Sequence, residues 1–116
     1  MSVNPAMITH DVVDPVAIGG WWAEQTGGEV LAENDGWFVV VGLPNGLRLG
    51  FQRVEQPTPG KNRVHLDLEA TDDVETEIAR LEGAGARVVD RQQIGDFRWV
   101  VLHDPAGNVF CVSAAH

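Results

Sequence analysis

Residues 63–70 read RVHLDLEA, and the predicted architecture can be built outward from them. Apolar and ionisable side chains alternate along this segment. Because successive side chains of a strand point to opposite faces of a sheet, the alternation predicts a half-buried strand. The apolar face carries Val64, Leu66 and Leu68, and the polar face carries His65, Asp67 and Glu69. Three ionisable groups on one face indicate either a surface in contact with water or the wall of a cavity.

This strand opens the second copy of a repeated pattern. Each half of the chain predicts a strand, a helix and three further strands. Equivalent positions lie 58 residues apart in the first strand and the helix, and 61 residues apart in the later hairpins. The turn Pro44-Asn45-Gly46 thus matches Pro105-Ala106-Gly107. A duplicated βαβββ unit explains this self-similarity most simply.

Each half contains one predicted helix with recognisable ends. Asp14-Pro15 supplies an N-cap and a proline at the first helical position, and Gly27-Gly28 ends that helix. Asp72 is the expected N-cap of the second helix, with Glu75 as its capping-box partner. Gly19-Gly20 lies inside the first helix and weakens it by about 1 kcal/mol per glycine relative to alanine.

The elements predict an α+β protein with a single domain, residues 1–116. Two tandem βαβββ modules, about 6–54 and about 63–115, are joined by a linker with two prolines at 55–62. The modules are expected to form a curved, mostly antiparallel sheet whose inner face is a cup, with helices on the outer face. The predicted strands are 6–13, 29–33, 37–41, 47–54, 63–70, 87–90, 97–102 and 109–114.

Charge and composition exclude several classes of function. Eight basic and 17 acidic residues give a formal net charge of −9, which disfavours nucleic acid and anionic membrane surfaces as partners. Apolar runs fall well short of the roughly 20 residues of a membrane span, and the N-terminus lacks the pattern of a signal peptide. The single cysteine, Cys111, excludes an internal disulfide. The sequence therefore predicts a cytoplasmic protein.

The chain resembles the vicinal oxygen chelate superfamily and, within it, the short glyoxalase-like and bleomycin-resistance-like proteins. The likeness is carried by Asp14-Pro15 before a Trp-rich helix, by the segment 51–68 and by residues 104–112, which read DPAGNVFCV. The resemblance implies the cup-shaped fold and a small-molecule ligand. It also implies a homodimer, since many relatives complete their cups across a two-fold interface. Because one fold hosts many activities, the resemblance does not identify a reaction.

Strand parity predicts which side chains face the cup. These are Met7, Thr9, Asp11, Arg48, Gly50, Gln52, His65, Asp67, Glu69, Val109, Cys111 and Ser113. Trp37 and Trp99 lie on neighbouring strands, where they either stack on a flat ligand or belong to the core. Leu47, Leu49 and Phe51 on one strand, with Phe110 and Val112 on another, are predicted to be core. His10 falls on the apolar face, and His103 is expected to be exposed.

Metal-dependent relatives place one ligand, usually His or Glu, on each of four strands. By resemblance, the four positions are Met7, Gly50 (or Gln52 two residues on), His65 and Cys111. Only His65 is a standard ligand there, so neither a metal site nor another cofactor is expected; a divalent metal is the alternative. Asp67, Glu69 and Asp11 would rebuild a site only if they converged. Cys111 in an acidic cup is expected to be a small buried hydrophobe rather than a nucleophile.

The favoured function is the binding of a small organic molecule, neutral or cationic because the cup is acidic. The residues expected to bind it are His65, Asp67, Glu69, Gln52, Arg48, Asp11, Met7, Cys111, Trp37 and Trp99. The alternative is a metal-dependent lyase, isomerase or dioxygenase. Metal-free acid–base catalysis by His65 is a third possibility. Whether the protein is an enzyme therefore stays open at the level of sequence.

Overall fold

The computed structural model describes Ser2 and residues 4–114. Over this part, the chain forms two α-helices, a short 3₁₀ turn and eight strands. It divides into two compact units, Met1–Pro57 and Thr58–His116, so the boundary falls inside the segment 55–62. Neither helix is long and apolar enough to cross a membrane within the described residues.

The first unit is a βαβββ module with a four-stranded mixed sheet. Its strands have the order β1-β4-β3-β2, with β1 parallel to β4 and the other pairs antiparallel. A 3₁₀ turn, Asn34–Gly36, joins β2 to β3. The elements are β1 (Ile8–Val12), α1 (Pro15–Thr26), β2 (Glu29–Ala32), β3 (Phe38–Gly42) and β4 (Arg48–Arg53).

The second unit repeats this topology. Its strand order is β5-β8-β7-β6, with β5 parallel to β8. The elements are β5 (Leu66–Glu69), α2 (Val74–Gly83), β6 (Arg87–Ile94), β7 (Phe97–His103) and β8 (Val109–Ser113). The predicted fold class, two βαβββ modules, is therefore confirmed.

The register of the two sheets reproduces the spacing of the sequence repeat. Ile8 lies opposite Leu49 in the first module, and Leu66 lies opposite Phe110 in the second. Ile8 and Leu66 are 58 positions apart on the first strand of each module, and Leu49 and Phe110 are 61 positions apart on the last strand. The later turns match as well, because Leu43 N–H donates to Leu47 at 2.8 Å and Asp104 N–H donates to Asn108 at 2.9 Å.

Helix α1 begins and ends where its sequence signals predict. The Asp14 carboxylate accepts a hydrogen bond from Ala17 N–H at 3.2 Å, and Gly27 has the left-handed φ of 72° that favours glycine after a helix. Inside the helix, Gly19 lies directly against the sheet. A Cβ at this position would come within 2.6 Å of Val39 Cγ1. Gly19 therefore permits the close approach of α1 to β3.

Helix α2 begins one residue later than predicted. Its N-cap is Asp73, whose carboxylate accepts from Thr76 N–H at 3.1 Å, and not Asp72. Asp72 instead accepts from the Asp73 N–H at 2.8 Å. The capping box with Glu75 was likewise wrong, since that carboxylate pairs with Arg91 at 2.5 Å. Two adjacent aspartates can both cap, and the phase of the helix selects between them.

The core of each module lies between its helix and one face of its sheet. The first core contains Val12, Ile18, Trp22, Val39, Val41, Leu49 and Phe51, all at most 4% exposed. The second contains Ile78, Leu81, Val100, Leu102, Phe110 and Val112, all at most 5% exposed. Leu47 was predicted to be core but is 39% exposed, because it lies in the turn before β4.

Candidate functional site

The second module carries an open concavity of about 1060 Å³. Alternate residues of β7 and β8 turn toward α2 as core, which leaves the residues between them on the opposite face. That face lines the concavity with Trp99, Val101 and His103 of β7 and with Val109, Cys111 and Ser113 of β8. His65 and Asp67 line it at β5. The strand parity predicted from residues 63–70 thus brings these two side chains to one surface with Cys111.

Strand register explains why these side chains meet. Asp67 pairs with Cys111 in the parallel ladder, and Cys111 pairs with Val101 in the antiparallel one. Val101 in turn pairs with Asp90 of β6. Directly opposed residues on one face lie about 5 Å apart at Cβ, so this row places two carboxylates and a thiol along one line across the sheet.

His65, Asp67 and Cys111 form a compact cluster. His65 Nδ1 lies 2.9 Å from Asp67 Oδ1 and 4.0 Å from Cys111 Sγ. Since a carboxylate only accepts, Nδ1–H is the donor to Asp67, and Nε2 is then the acceptor nitrogen of the neutral ring. The side chains of His65 and Asp67 are 37% and 71% exposed, whereas Cys111 is 8% exposed. The cluster therefore has a buried sulfur and two solvent-accessible partners.

The surroundings of Cys111 keep its thiol protonated. Burial raises the pKa of Cys111, and the negative charge of Asp67 raises it further. Lys61 acts in the opposite direction, but its effect is smaller. The expectation that Cys111 lacks a lowered pKa is confirmed, and the thiol is a poor nucleophile at neutral pH.

Asn62 fixes the approach of β5 to β8. Its side-chain oxygen accepts from Val109 N–H at 2.7 Å, and its amide nitrogen donates to the Val109 carbonyl at 3.2 Å. The same amide also donates to the Val64 carbonyl. The side chain extends the parallel ladder beyond Leu66 and places His65 beside Cys111. The sequence assigned Asn62 to the linker, where no local pattern reveals this role.

The β6–β7 side of the concavity is apolar and aromatic. The rings of Phe97 and Trp99 stack with their centroids 5.6 Å apart and their planes at 29°. Phe97 is 41% exposed, its ladder partner Ile94 is 72% exposed, and Val89, further along β6, is 40% exposed. Exposed apolar side chains grouped in one concavity are typical of a binding surface. Trp99, one of the two tryptophans predicted either to stack on a ligand or to belong to the core, lines this side of the concavity.

His103 lies at the end of β7 and lines the concavity. Its Nδ1 lies 3.1 Å from the Arg87 guanidinium, which is the donor in this pair. The expectation that His103 is exposed was wrong, since it is only half-buried and partnered across the β6–β7 ladder. The strand continues through residue 103, whereas the predicted strand stopped at 102.

Five of the residues predicted to bind the small molecule belong to the first module. A sixth, Glu69, lies on β5 beside the cluster but does not line the concavity. Glu69 pairs with Ser113 in the β5–β8 ladder. Trp37 is 60% exposed, and the Arg53 guanidinium lies 4.8 Å from its ring centroid. Asp11, Arg48 and Gln52 are exposed, and Met7 is half-buried. Asp11 and Gln52 are ladder partners across the β1–β4 pair.

Met7 and Gly50, two of the positions that the resemblance implies for a metal, do not offer the usual donors. Gly50 is the counterpart of Cys111 in the repeat, since each is paired with the second residue of its parallel partner strand. A Cβ on Gly50 would lie 2.6 Å from Met7 Sδ and 2.9 Å from Thr9 Oγ1. Met7 thus offers a thioether and Gly50 offers no side chain. Neither suits the hard divalent ions. The usual donor set of the metal-dependent relatives does not fit these residues.

Several lining residues were missed by the sequence analysis. They are Gly60, Lys61, Leu68, Val89, Asp90, Gln92, Ile94, Phe97, Val101 and Gly107. Gln92 and Ile94 were missed because β6 runs to Ile94 instead of ending at Asp90. Gly95-Asp96 is a pair typical of a two-residue hairpin turn, and Gly95 has a φ of 60°. That signal predicts a long β6–β7 hairpin and would have placed Gln92 opposite Trp99.

Comparison with known proteins agrees with this architecture. A model of the glyoxalase-like domain matches residues 7–113. The fosfomycin resistance protein FosX from Listeria monocytogenes, in complex with Mn(II) and a dihydroxypropylphosphonic acid, has a TM-score of 0.81 at 14% identity, covering 100% of this chain and 93% of that chain. No curated protein gives a significant sequence match.

Two further solved structures show the same fold. A glyoxalase/bleomycin resistance protein/dioxygenase family enzyme from Burkholderia phytofirmans has a TM-score of 0.76 at 18% identity, covering 96% of this chain and 98% of that chain. A lactoylglutathione lyase from Agrobacterium tumefaciens has a TM-score of 0.71 at 16% identity, covering 99% and 96%. The family model spans nearly the whole sequence. The chain therefore belongs to the glyoxalase-like domain family.

Proposed function

We propose that this protein binds a small organic molecule in the concavity of its second module. The molecule has a flat apolar part and a polar, neutral or cationic end. The observation that carries the proposal is the division of the concavity into two sides. The Phe97–Trp99 stack and Ile94 form one side, and the His65–Asp67 pair lies on the other. Binding sites commonly combine apolar walls with a few placed polar groups in this way.

The charges at the concavity favour a ligand that is not anionic. Asp67, Asp90 and Lys61 all line the concavity, so two carboxylates accompany one ammonium group there. His65 and His103 add donors and acceptors for hydrogen bonds. The whole chain carries a formal charge of −9, which repels anions at a distance as well. A basic or neutral group hydrogen-bonded near Asp67 is therefore the expected polar end.

Tryptophan fluorescence and calorimetry test the proposal with a panel of flat cationic, neutral and anionic aromatic compounds. The buffer contains a chelator, so that any metal contribution is removed. We expect saturable quenching by cationic or neutral members, and a loss of about fivefold or more in affinity for Trp99→Leu, since stacked aromatic contacts are worth about 1 kcal/mol or more.

The matched control is Trp37→Leu, which removes an exposed tryptophan of the first module. Unchanged affinity in this variant confines the site to the second module, whereas an equal loss extends the ligand contacts to the predicted first-module residues. Asp67→Asn should weaken cationic ligands more than neutral ones. Preferential binding of anionic compounds, or no saturable binding by any compound, would contradict the proposal.

A metal-dependent lyase, isomerase or dioxygenase is the second candidate function. It is favoured by one observation: His65, Asp67 and Cys111 each offer a ligand atom, and these atoms lie within 4.8 Å of one another. A metal there would polarise oxygen atoms of a substrate. Turnover of a candidate substrate that requires added metal and is abolished by His65→Ala would establish this function instead.

A homodimer and a cytoplasmic location complete the proposal. The dimer is inferred from relatives that complete their cups across an interface. Its measurement is the mass in solution at micromolar concentration, where a strictly monomeric species would contradict it. The location is inferred from the sequence and is tested by cell fractionation.

A further inference from the structure

Two histidines line the concavity, His65 and His103, and they are held by neighbours of opposite charge. We infer that the two rings offer opposite hydrogen-bonding groups to the ligand: His65 Nε2 accepts a hydrogen bond, and His103 Nε2–H donates one. The ligand is then an extended molecule that carries an N–H or O–H donor and a carbonyl-type acceptor in addition to its flat apolar part. This inference rests on the proposed function and names the chemical class of its ligand.

Arg87 determines which nitrogen of His103 carries the proton. The Arg87 guanidinium lies 3.1 Å from His103 Nδ1, and the two residues are direct partners in the β6–β7 ladder. A guanidinium can only donate hydrogen bonds, so Nδ1 is the acceptor and the proton of the neutral ring is on Nε2. His103 is therefore a donor toward the ligand, and Arg87 is the residue that positions it.

Asp67 has the opposite effect on His65. A carboxylate can only accept, and Asp67 Oδ1 lies 2.9 Å from His65 Nδ1, so this nitrogen carries the proton. The lone pair of the neutral ring is then on Nε2. Because the hydrogen bond made by one ring nitrogen sets the state of the other, two residues of the same type differ in what they offer to a ligand.

Strand pairing places the two rings on either side of Val109. His103 is the partner of Val109 in the β7–β8 ladder. Leu66 pairs with Phe110 in the β5–β8 ladder, and one further step of that register brings His65 beside Val109 from the other side. Since neighbouring strands lie about 4.8 Å apart, the Cα atoms of the two histidines are separated by roughly 10 Å. Val109 is 5% exposed and lines the concavity, so an apolar floor lies between the acceptor and the donor.

The Phe97–Trp99 stack lies further along the same face of β7. Trp99 and His103 are four residues apart on this strand. At a rise of about 3.4 Å per residue, their Cα atoms are separated by roughly 14 Å. A ligand whose ring contacts Trp99 must therefore extend along the strand to reach His103. The Asp67 carboxylate lies beside His65 and favours an ammonium group as the donor at that end.

Nitrogen NMR of the imidazole rings tests the assignment in the ligand-free protein. At pH 8.5, above the range in which free imidazole titrates, long-range proton–nitrogen correlations distinguish the two tautomers. We expect the Nδ1–H tautomer for His65 and the Nε2–H tautomer for His103. Arg87→Met removes the donor to His103 and should shift its Nδ1 resonance, whereas Arg91→Met removes the same charge from the same strand and should not. The same tautomer in both rings, or equal responses to the two arginine variants, would overturn the inference.

Three probes of equal length measure the consequence for binding. The first is a naphthylacetamide with an aminoethyl group on its nitrogen, which carries the ring, the carbonyl and an ammonium group. A naphthylpentylamine lacks the carbonyl, and the naphthylacetamide with a propyl group lacks the ammonium. Tryptophan fluorescence in chelator, at the same pH, gives the three affinities.

Variants of each histidine should affect only the probes that carry its partner group. His103→Leu should weaken both carbonyl probes by about three- to tenfold, the size of one neutral hydrogen bond, and should change the pentylamine by less than about twofold. His103→Gln keeps an N–H donor and should restore most of that affinity. His65→Leu should weaken the two ammonium probes and spare the propyl amide.

The outcomes separate this inference from the proposed function. If His103→Leu weakens the pentylamine as much as the carbonyl probes, the loss is structural, and the inference fails while the binding site stands. If none of the three probes binds, the proposed function fails, and the assignment of the ligand class fails with it.

Discussion

Two adjacent glycines of α1 are predicted to respond differently to the same substitution. A Cβ at Gly19 would lie 2.6 Å from Val39 Cγ1, whereas a Cβ at Gly20 would meet no other described atom within 4 Å. Val39 is 0% exposed and β-branched, so its methyl groups have little room to move. The alanine added at position 19 must therefore displace the helix or the strand.

The magnitudes follow from two terms. Alanine gains about 1 kcal/mol over glycine inside a helix, and this gain applies to both positions. Overpacking a core contact costs about 1 to 3 kcal/mol, and this cost applies to Gly19 alone. Gly20→Ala should therefore stabilise the protein by about 1 kcal/mol. The free energy of unfolding of Gly19→Ala should be about 1 to 3 kcal/mol lower than that of Gly20→Ala. The gain in helix propensity is common to both variants and cancels in this comparison.

Urea unfolding followed by far-ultraviolet circular dichroism measures both variants. In a Val39→Ala background, where the clashing methyl groups are gone, the penalty of Gly19→Ala should shrink and the two alanines should become similar. If Gly19→Ala is as stable as Gly20→Ala in the natural background, the close helix–sheet contact at Val39 is not the reason for the glycine.

Three further predictions concern single side chains. Asp104 is 3% exposed and accepts hydrogen bonds from Ala106 N–H and Asn108 N–H, both at 2.9 Å. Asp104→Ala should therefore lower the free energy of unfolding by about 2 kcal/mol. Asn45→Ala, in the exposed counterpart turn, should lower it by less than about 1 kcal/mol, and equal losses in urea unfolding would contradict this. Asp73→Ala should cost about 1 kcal/mol and Asp72→Ala clearly less, and the reverse order would restore Asp72 as the cap. Iodoacetamide in chelator should modify Cys111 at pH 8 far more slowly than the unfolded chain, because burial and a raised pKa keep the thiol protonated, and equal rates would refute this.

Local patterns predicted most of the fold, because end signals and alternation act over short distances. Asp14-Pro15 and Gly27 marked α1 correctly, and the 58- and 61-residue spacings gave the topology of both modules. The misses occurred where two local choices had similar energies. Asp72 and Asp73 are equivalent as caps until the packing of Ile78 and Leu81 sets the phase of the helix.

The candidate site was predicted only in part, because its geometry depends on pairing between distant strands. Parity placed His65, Asp67 and Cys111 on one face, but it did not show that Asp67 and Cys111 are ladder partners. A single strand stacks its side chains in a row, whereas two paired strands bring them together. Asn62 is harder still, since its partner Val109 lies 47 positions away.

The crowding at Gly50 has a consequence for the order in which substitutions can be accepted. Met7 Sδ and Thr9 Oγ1 occupy the space that any side chain at position 50 would enter. A carboxylate or imidazole introduced there must first displace the ends of these two side chains. A smaller residue at position 7 makes room for it, but that step alone leaves a void. A side chain at position 50 is therefore accepted most easily together with a change of Met7.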